Sequence, residues 1–379
     1  MKVAQKYVNA AFKDAVKRGN VEIIALLTGK NKNGTFVSPG LCLPTLDEQD
    51  FRKAIVLDRK WKGIEYLVRL KKEGDSRFAD FELVDHDNTA LCMACEVGNY
   101  DLVKCLLCTT DDGEFIFPRT NPAAQNNEPL VKACRGGNVQ IVEKLLERDV
   151  SGDYIYKGID PSARNYESVV NACRYGHVDI VEFLLKMGDG RYVLPGMDDV
   201  DFTRVLSAAI RWNQRDIMNW LLRMNKGGEY VLPGMNGVDF AQVLLGLIML
   251  GRMNSLQWLL SMNEDGEPVL SKMNSVDFTR VLSTAIESQQ RGLVEWLLGM
   301  NEGGEYVVPG MNGVDLDHAL VVAIACDQME VLEFLLAVEN GKYVLPGIRV
   351  TEEMLGIEGQ SHEMRQFLAR NLERQRINA

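Results

Sequence analysis

Glu167-Ser-Val-Val-Asn-Ala-Cys-Arg-Tyr-Gly-His-Val-Asp-Ile-Val-Glu-Phe-Leu-Leu185 carries apolar residues at three- and four-residue intervals on both sides of Gly176. That spacing predicts two short amphipathic helices joined by a tight turn. Gly176 stands where the first helix must end, and glycine takes up the left-handed conformation there without a Cβ clash. Gly19, Gly98 and Gly137 hold the same place in other copies of the pattern. In later copies Asn213, Gln289 and Gln328 lie near it, which predicts tighter or irregular turns in those copies.

Each copy closes on an apolar pair. Aligning that pair gives Leu107, Leu146, Leu185, Leu222, Leu260, Leu298 and Leu336, in steps of 39, 39, 37, 38, 38 and 38 residues. A period of this size is the mark of a solenoid, in which each unit packs only on its neighbours. Two less regular units end near Leu27 and Val68. Residues 1–350 therefore read as an array of about nine units, and residues 351–379 as a capping helical segment and tail.

The segments between helix pairs are nearly as regular as the helices. Met224-Asn-Lys-Gly-Gly-Glu-Tyr-Val-Leu-Pro-Gly-Met-Asn-Gly-Val-Asp-Phe240 returns as Met300-Asn-Glu-Gly-Gly-Glu-Tyr-Val-Val-Pro-Gly-Met-Asn-Gly-Val-Asp-Leu316. Its Gly-Glu-Tyr-Val-Leu portion has the aromatic and β-branched content of a short strand, and Pro233-Gly234 fits the middle of a type II turn. Asp201, Asp239, Asp277 and Asp315 fall 38 residues apart just before the first helix of their units. There a carboxylate accepts the free backbone N–H groups, so capping explains the row better than an acidic functional surface does.

At Asn88-Thr-Ala-Leu-Cys-Met-Ala-Cys-Glu-Val-Gly-Asn-Tyr-Asp-Leu-Val-Lys-Cys-Leu-Leu107 the chain resembles an ankyrin repeat. The family's Gly-His-x-x-Ile-Val-x-x-Leu-Leu second-helix pattern stands as Gly176-His-Val-Asp-Ile-Val-Glu-Phe-Leu-Leu185, while its Thr-Pro-Leu-His start survives only as Thr89-Ala-Leu-Cys92. The units exceed the family's usual 33 residues by about five, and the excess lies in the linking segment. The resemblance implies an all-α repeat solenoid of ankyrin-like stacked helix pairs with extended β-hairpin fingers. It also implies a protein-protein interaction scaffold, non-enzymatic, that binds a partner protein through a concave face formed by the fingers and first helices.

Several patterns bear on function. Cys92-Met-Ala-Cys95 and Cys105-Leu-Leu-Cys108 have the spacing of a zinc site. However, Cys95, Cys134 and Cys173 share a column with Val16, Val56, Ile210, Ile248, Ile286 and Ile324, which points to a buried apolar position and no metal. Trp220, Trp258 and Trp296 share a column with Phe183 and Phe334 inside the second-helix stripe, where packing is expected. The finger aromatics Phe36, Phe78, Phe115, Tyr154, Tyr192, Tyr230, Tyr306 and Tyr343 form a longer series. Side chains alternate faces along a strand, so one set packs on the next finger and the other meets solvent or a partner. The sequence leaves open which set holds the tyrosines.

One unit breaks step: its finger puts Pro268 in the tyrosine place and Ser271-Lys272 in the Pro-Gly place. The helix before it, Val243-Leu-Leu-Gly-Leu-Ile248, has lost most of its polar face. Specificity is expected where an array deviates. The partner-binding candidates are accordingly Tyr192, Tyr230, Pro268, Ser271, Lys272, Tyr306 and Tyr343.

Composition narrows the classes further. Formal net charge is −11, yet residues 1–80 hold 16 Lys/Arg against 10 Asp/Glu, so the excess negative charge lies beyond them. Affinity for nucleic acid rests on phosphate neutralisation, so no nucleic-acid partner is expected, although the basic end is an alternative site for an anionic surface. No apolar run approaches the roughly 20 residues of a membrane span. Met1-Lys-Val-Ala-Gln-Lys-Tyr-Val-Asn-Ala lacks the apolar stretch of a signal peptide, which favours a cytoplasmic setting with reduced thiols. Neither a Gly-rich phosphate loop nor an H-E-x-x-H motif occurs, so no catalytic residues and no cofactor are assigned; a divergent enzyme with a site assembled across repeats is the alternative. A monomer is expected. Divergent arrays of this style resemble proteins that intracellular bacteria deliver into host cells, so an effector in a host cytosol is a further reading.

Overall fold

A computed structural model of the chain describes residues 2–29, 37, 51, 58–73, 88–109, 117, 120–223, 230–260, 277–301, 304–308, 310–339, 342–345, 347–358 and 360–378. Pro268, Ser271, Lys272, Phe36, Phe78 and Phe115 lie outside the described residues. The fold is an all-α repeat solenoid, and the chain divides into two compact units, Met1–Asp201 and Phe202–Ala379.

In the first unit α1 (Lys2–Arg18) turns into α2 (Val21–Thr28), and α3 (Asp58–Lys72) follows. Three regular pairs come next: α4 (Thr89–Val97) with α5 (Tyr100–Leu106), α6 (Ala124–Gly136) with α7 (Val139–Leu145), and α8 (Ala163–Tyr175) with α9 (Val178–Leu184). The second unit repeats the plan in α10 (Phe202–Arg211), α11 (Arg215–Leu221), α12 (Phe240–Met249), α13 (Met253–Leu259), α14 (Phe278–Glu287), α15 (Arg291–Leu297), α16 (Leu316–Ala325) and α17 (Met329–Leu335). First helices stack on first helices: α4 on α6 and α6 on α8 in one unit, α10, α12, α14 and α16 in the other.

Small and branched residues make that stacking possible. Ala94, Ala133, Ala172, Ala209, Ala285 and Ala323 are buried, as are their neighbours Cys95, Cys134, Cys173, Ile210, Ile286 and Ile324. The leucine pairs that close the second helices are buried in every described repeat from Leu106-Leu107 to Leu335-Leu336. Each such leucine contributes roughly 1.5–3 kcal/mol by leaving water, so periodic burial outweighs the weak intrinsic stability of seven-residue helices.

The turn between paired helices is the same in both units. Gly98, Gly137 and Gly176 have φ of 83, 75 and 82°, and Asn213, Gly251, Gln289 and Asp327 have φ of 55, 62, 56 and 50°. The expectation of tighter or irregular turns in later copies is corrected: they keep the left-handed residue, and Asp327 rather than Gln328 occupies it. The reason is the backbone bond that closes the turn. His177 N donates to Ala172 O at 3.0 Å, and Gln290 N donates to Ala285 O at 3.0 Å. Packing of the two helices fixes this geometry, and a non-glycine residue accepts roughly 1–2 kcal/mol of strain to fill it.

The last helix, α18 (His362–Asn378), runs through the residues that read as a polar tail. Met364, Leu368 and Asn371 lie on one face at helical spacing and are buried. Gln375 Oε1 also accepts a bond from Val350 N at 3.1 Å, which ties the final turns of the helix to the segment before it.

Candidate functional site

The fingers are built from a short reversal and a tucked base. In the described residues β1 (Met187–Gly188) pairs antiparallel with β2 (Arg191–Tyr192), and β3 (Val338–Glu339) with β4 (Lys342–Tyr343); Arg148 and Tyr154, and Met300 and Tyr306, form single bridges. These ladders are two residues long, shorter than the extended hairpins expected. The residue after each tyrosine sends its N–H back to the end of the preceding helix pair: Val231 N to Arg223 O at 2.9 Å, Val307 N to Gly299 O at 2.8 Å, Val344 N to Ala337 O at 2.9 Å.

That bond decides which side chains face out. In the second unit Val231, Val307 and Val344 are 42, 56 and 42% exposed, while Leu232, Val308 and Leu345 beyond them are buried. Ile155 holds the same place in the first unit and is also exposed. Tyr230 is 3% exposed, its ring 5.9 Å from that of Phe240. Tyr192 and Tyr306 are half-buried, and burial raises the Tyr306 hydroxyl above its ordinary range. Tyr154 shows what a finger tyrosine does for its neighbour: its hydroxyl donates to Pro195 O of the next finger at 3.0 Å, and burial pushes it up to about 12.

The base of the finger explains the Pro-Gly pair. Gly310 has φ 90°, and a Cβ there would stand 2.5 Å from the Phe278 ring; at Gly234 it would stand 2.3 Å from Phe202. Only glycine lets the turn lie against the phenylalanine that opens the preceding repeat.

The outer faces of the first helices differ between the units. In the first, Glu96 meets Lys132 at 3.5 Å and Arg135 at 3.7 Å, Lys132 meets Glu128 at 3.7 Å, and Arg164 pairs with both Glu128 and Glu167. Charge there is spent within the protein. In the second, α12 presents Met249 at 74% exposure, with Leu250 just beyond it at 47%.

The other candidate patterns separate cleanly. Burial drives the Cys95, Cys134 and Cys173 thiols up and the Cys92 thiol to about 12, so these are packing groups rather than nucleophiles. No group of three or more His, Cys, Asp or Glu able to hold a metal ion occurs among the described residues. Trp220, Trp258 and Trp296 are half-buried rather than enclosed, with the Arg223 guanidinium 4.8 Å from the Trp220 ring centroid. His177 caps nothing with its side chain; its Nε2 lies 3.1 Å from Arg135 O of the preceding repeat, a polar tie between repeats that Asn138 also makes to Gly98 O at 3.2 Å.

Residues 60–165 match the family model for ankyrin repeats, in three copies. The chain contains ankyrin repeats. Past the matched segment the chain keeps the helix pairs, buried columns and left-handed turns described above. A comparison with curated proteins returned no match. No described helix is long and apolar enough to cross a membrane.

Sequence reasoning singled out the tyrosines and passed over their valine neighbours. A β-branched residue at a fixed place in all fingers but one, where Ala79 follows Phe78, was visible, but its direction depends on the backbone bond to the preceding helix pair. Periodicity alone does not show that bond.

Proposed function

We propose that this protein is a non-enzymatic scaffold that binds a partner protein through the face formed by its fingers and first helices. The observation that supports the reading most is the set Val231, Val307 and Val344, exposed apolar side chains at the same place in three fingers of one unit. Isolated exposed apolar residues are ordinary, whereas a periodic set on a rigid scaffold offers many shallow contacts with little ordering on binding. Tyr192, Tyr306 and Tyr343 enter the proposal as contacts beside those residues. Tyr230 sets the finger's angle against Phe240, and Pro268, Ser271 and Lys272 supply the element that differs between repeats. The array is taken to span residues 1–350 with residues 351–379 as its cap, and the protein to act as a cytoplasmic monomer.

Affinity capture from cytosol tests the reading. The intact chain is compared with a variant in which Tyr192, Tyr230, Tyr306 and Tyr343 become Ala, and with one in which Val231, Val307 and Val344 become Asp. Loss of the same captured protein in both is expected; an unchanged set would count against the finger face. The finer reading, an effector acting in a host cell, is tested by a translocation reporter fused to the chain and expressed in an intracellular bacterium, where retention inside the bacterium would remove it.

A further inference from the structure

Three successive first helices of the second unit, α10, α12 and α14, enclose a surface groove of about 400 Å³. Leu245, Gly246, Met249 and Leu250 line it from α12 and the turn beyond, with Arg211 and Arg280 contributed by the helices on either side. The groove exists because of what the sequence omits. Gly246 lies mid-helix, where glycine is costly, and a Cβ built on it would meet no atom within 4 Å. No packing constraint demands glycine there; its effect is to leave the space open.

The charges point to an occupant. Both arginines are exposed, and neither takes part in an ion pair among the described residues. In the first unit the corresponding face satisfies its cations with Glu96, Glu128 and Glu167. Two uncommitted guanidinium groups flanking an apolar channel, on a chain of net charge −11, match a ligand that brings carboxylates to either side of an apolar side chain.

We propose that this groove binds an extended acidic segment of a partner protein, seating a leucine or phenylalanine side chain over Gly246 with carboxylates on Arg211 and Arg280. The inference rests on the scaffold reading and adds to it the class of peptide recognised.

Fluorescence anisotropy with the full chain tests it. The probe is a fluorescein-labelled decapeptide of alternating Leu or Phe with Asp or Glu. One control replaces the acids by Lys, the other replaces Leu and Phe by Ser. The acidic apolar peptide is expected to bind about tenfold or more tightly than either control, and to weaken as salt rises. Gly246→Leu should fill the groove and weaken binding about tenfold while helix content is retained, because the added side chain enters open space; the Arg211→Glu, Arg280→Glu pair should weaken it comparably. Gly246→Ala is a check on folding, expected to raise Tm by about 2 °C through helix propensity alone. Equal binding of the Lys peptide, binding indifferent to Gly246→Leu, or a self-association in sedimentation that Gly246→Leu abolishes would each overturn the proposal. Finger-dependent capture without peptide binding would remove this inference and leave the finger face standing; peptide binding without finger-dependent capture would do the reverse.

Discussion

The two units reach equivalent helix pairs from different starting chemistry. In Met1–Asp201 the regular course of the first helix follows a left-handed residue: Asn88 precedes α4, while Asn127 and Tyr166 end left-handed stretches at 125–127 and 164–166 inside α6 and α8, with φ of 61, 64 and 60°. Asn88 Oδ1 accepts from Asn121 N at 3.0 Å, and Asn127 Oδ1 from Asp160 N at 2.9 Å, so the helix start fastens the following repeat. In Phe202–Ala379 the start is an ordinary aspartate cap: Asp239, Asp277 and Asp315 accept from Gln242, Arg280 and His318 N at 2.9, 3.1 and 2.9 Å. The tie to the next repeat passes instead through threonine, with Thr279 Oγ1 accepting from Asp315 N at 3.1 Å. The aspartates satisfy orphan N–H groups of their own helix, whereas the two asparagine side chains accept from the segment that leads into the next repeat. The family match at residues 60–165 falls wholly on the first style. Repeat architecture is thus set by the buried columns, while helix starts are free to change.

The comparison can be broken at points where each unit relies on its own device. The largest effect is expected at the finger base: Gly310→Ala combines left-handed strain with a Cβ 2.5 Å from Phe278 and should cost about 2–4 kcal/mol in chemical denaturation, with hydrogen exchange placing the loss in the second unit. Next is Asn127→Ala, which leaves Asp160 N without its acceptor. A loss of about 1–2 kcal/mol confined to the first unit is expected, and a loss under 0.5 kcal/mol (about the noise of such fits) would show that the left-handed start is not a fastening. Asp277→Ala should cost about 1 kcal/mol by removing a cap in the second unit. Gln289→Gly should do the opposite, stabilising by about 0.5–1 kcal/mol, because the strain relieved exceeds the entropy glycine adds.

The smallest effect is alkaline. Tyr154 in the first unit holds its proton up to about 12 against an ordinary 10.0, so the folded state binds it more tightly than the unfolded state. Its contribution is complete below pH 10 and lost as pH rises toward 12. Tyr154→Phe should shallow the fall in stability over that window; an unchanged slope would assign the fall to other buried hydroxyls and thiols.

Much of the fold was legible because a solenoid writes its core into columns. Cys95, Cys134 and Cys173 read as apolar because Ile210, Ile286 and Ile324 share their place, and all are buried. The aspartate caps were legible for the same reason. The later turns were less so: Asn213 and Asp327 tolerate the left-handed region, but Gln289 is a poor left-handed residue that tertiary packing holds in place. The helical continuation past Arg370 was hidden too, because Met364, Leu368 and Asn371 make a narrow stripe in a polar sequence. At the proposed groove, the apolar deviation in Val243–Ile248 falls in a helix that lines it, but the open space over Gly246 depends on the helices either side.

Hydrogen-exchange footprinting of the captured partner on the intact chain tests the account most directly. Protection is expected on Phe202–Arg211, Phe240–Met249 and Phe278–Glu287 and on the fingers around Val231, Val307 and Val344, with Arg215–Leu221, Met253–Leu259 and Arg291–Leu297 unchanged. Protection confined to those three second helices would contradict it.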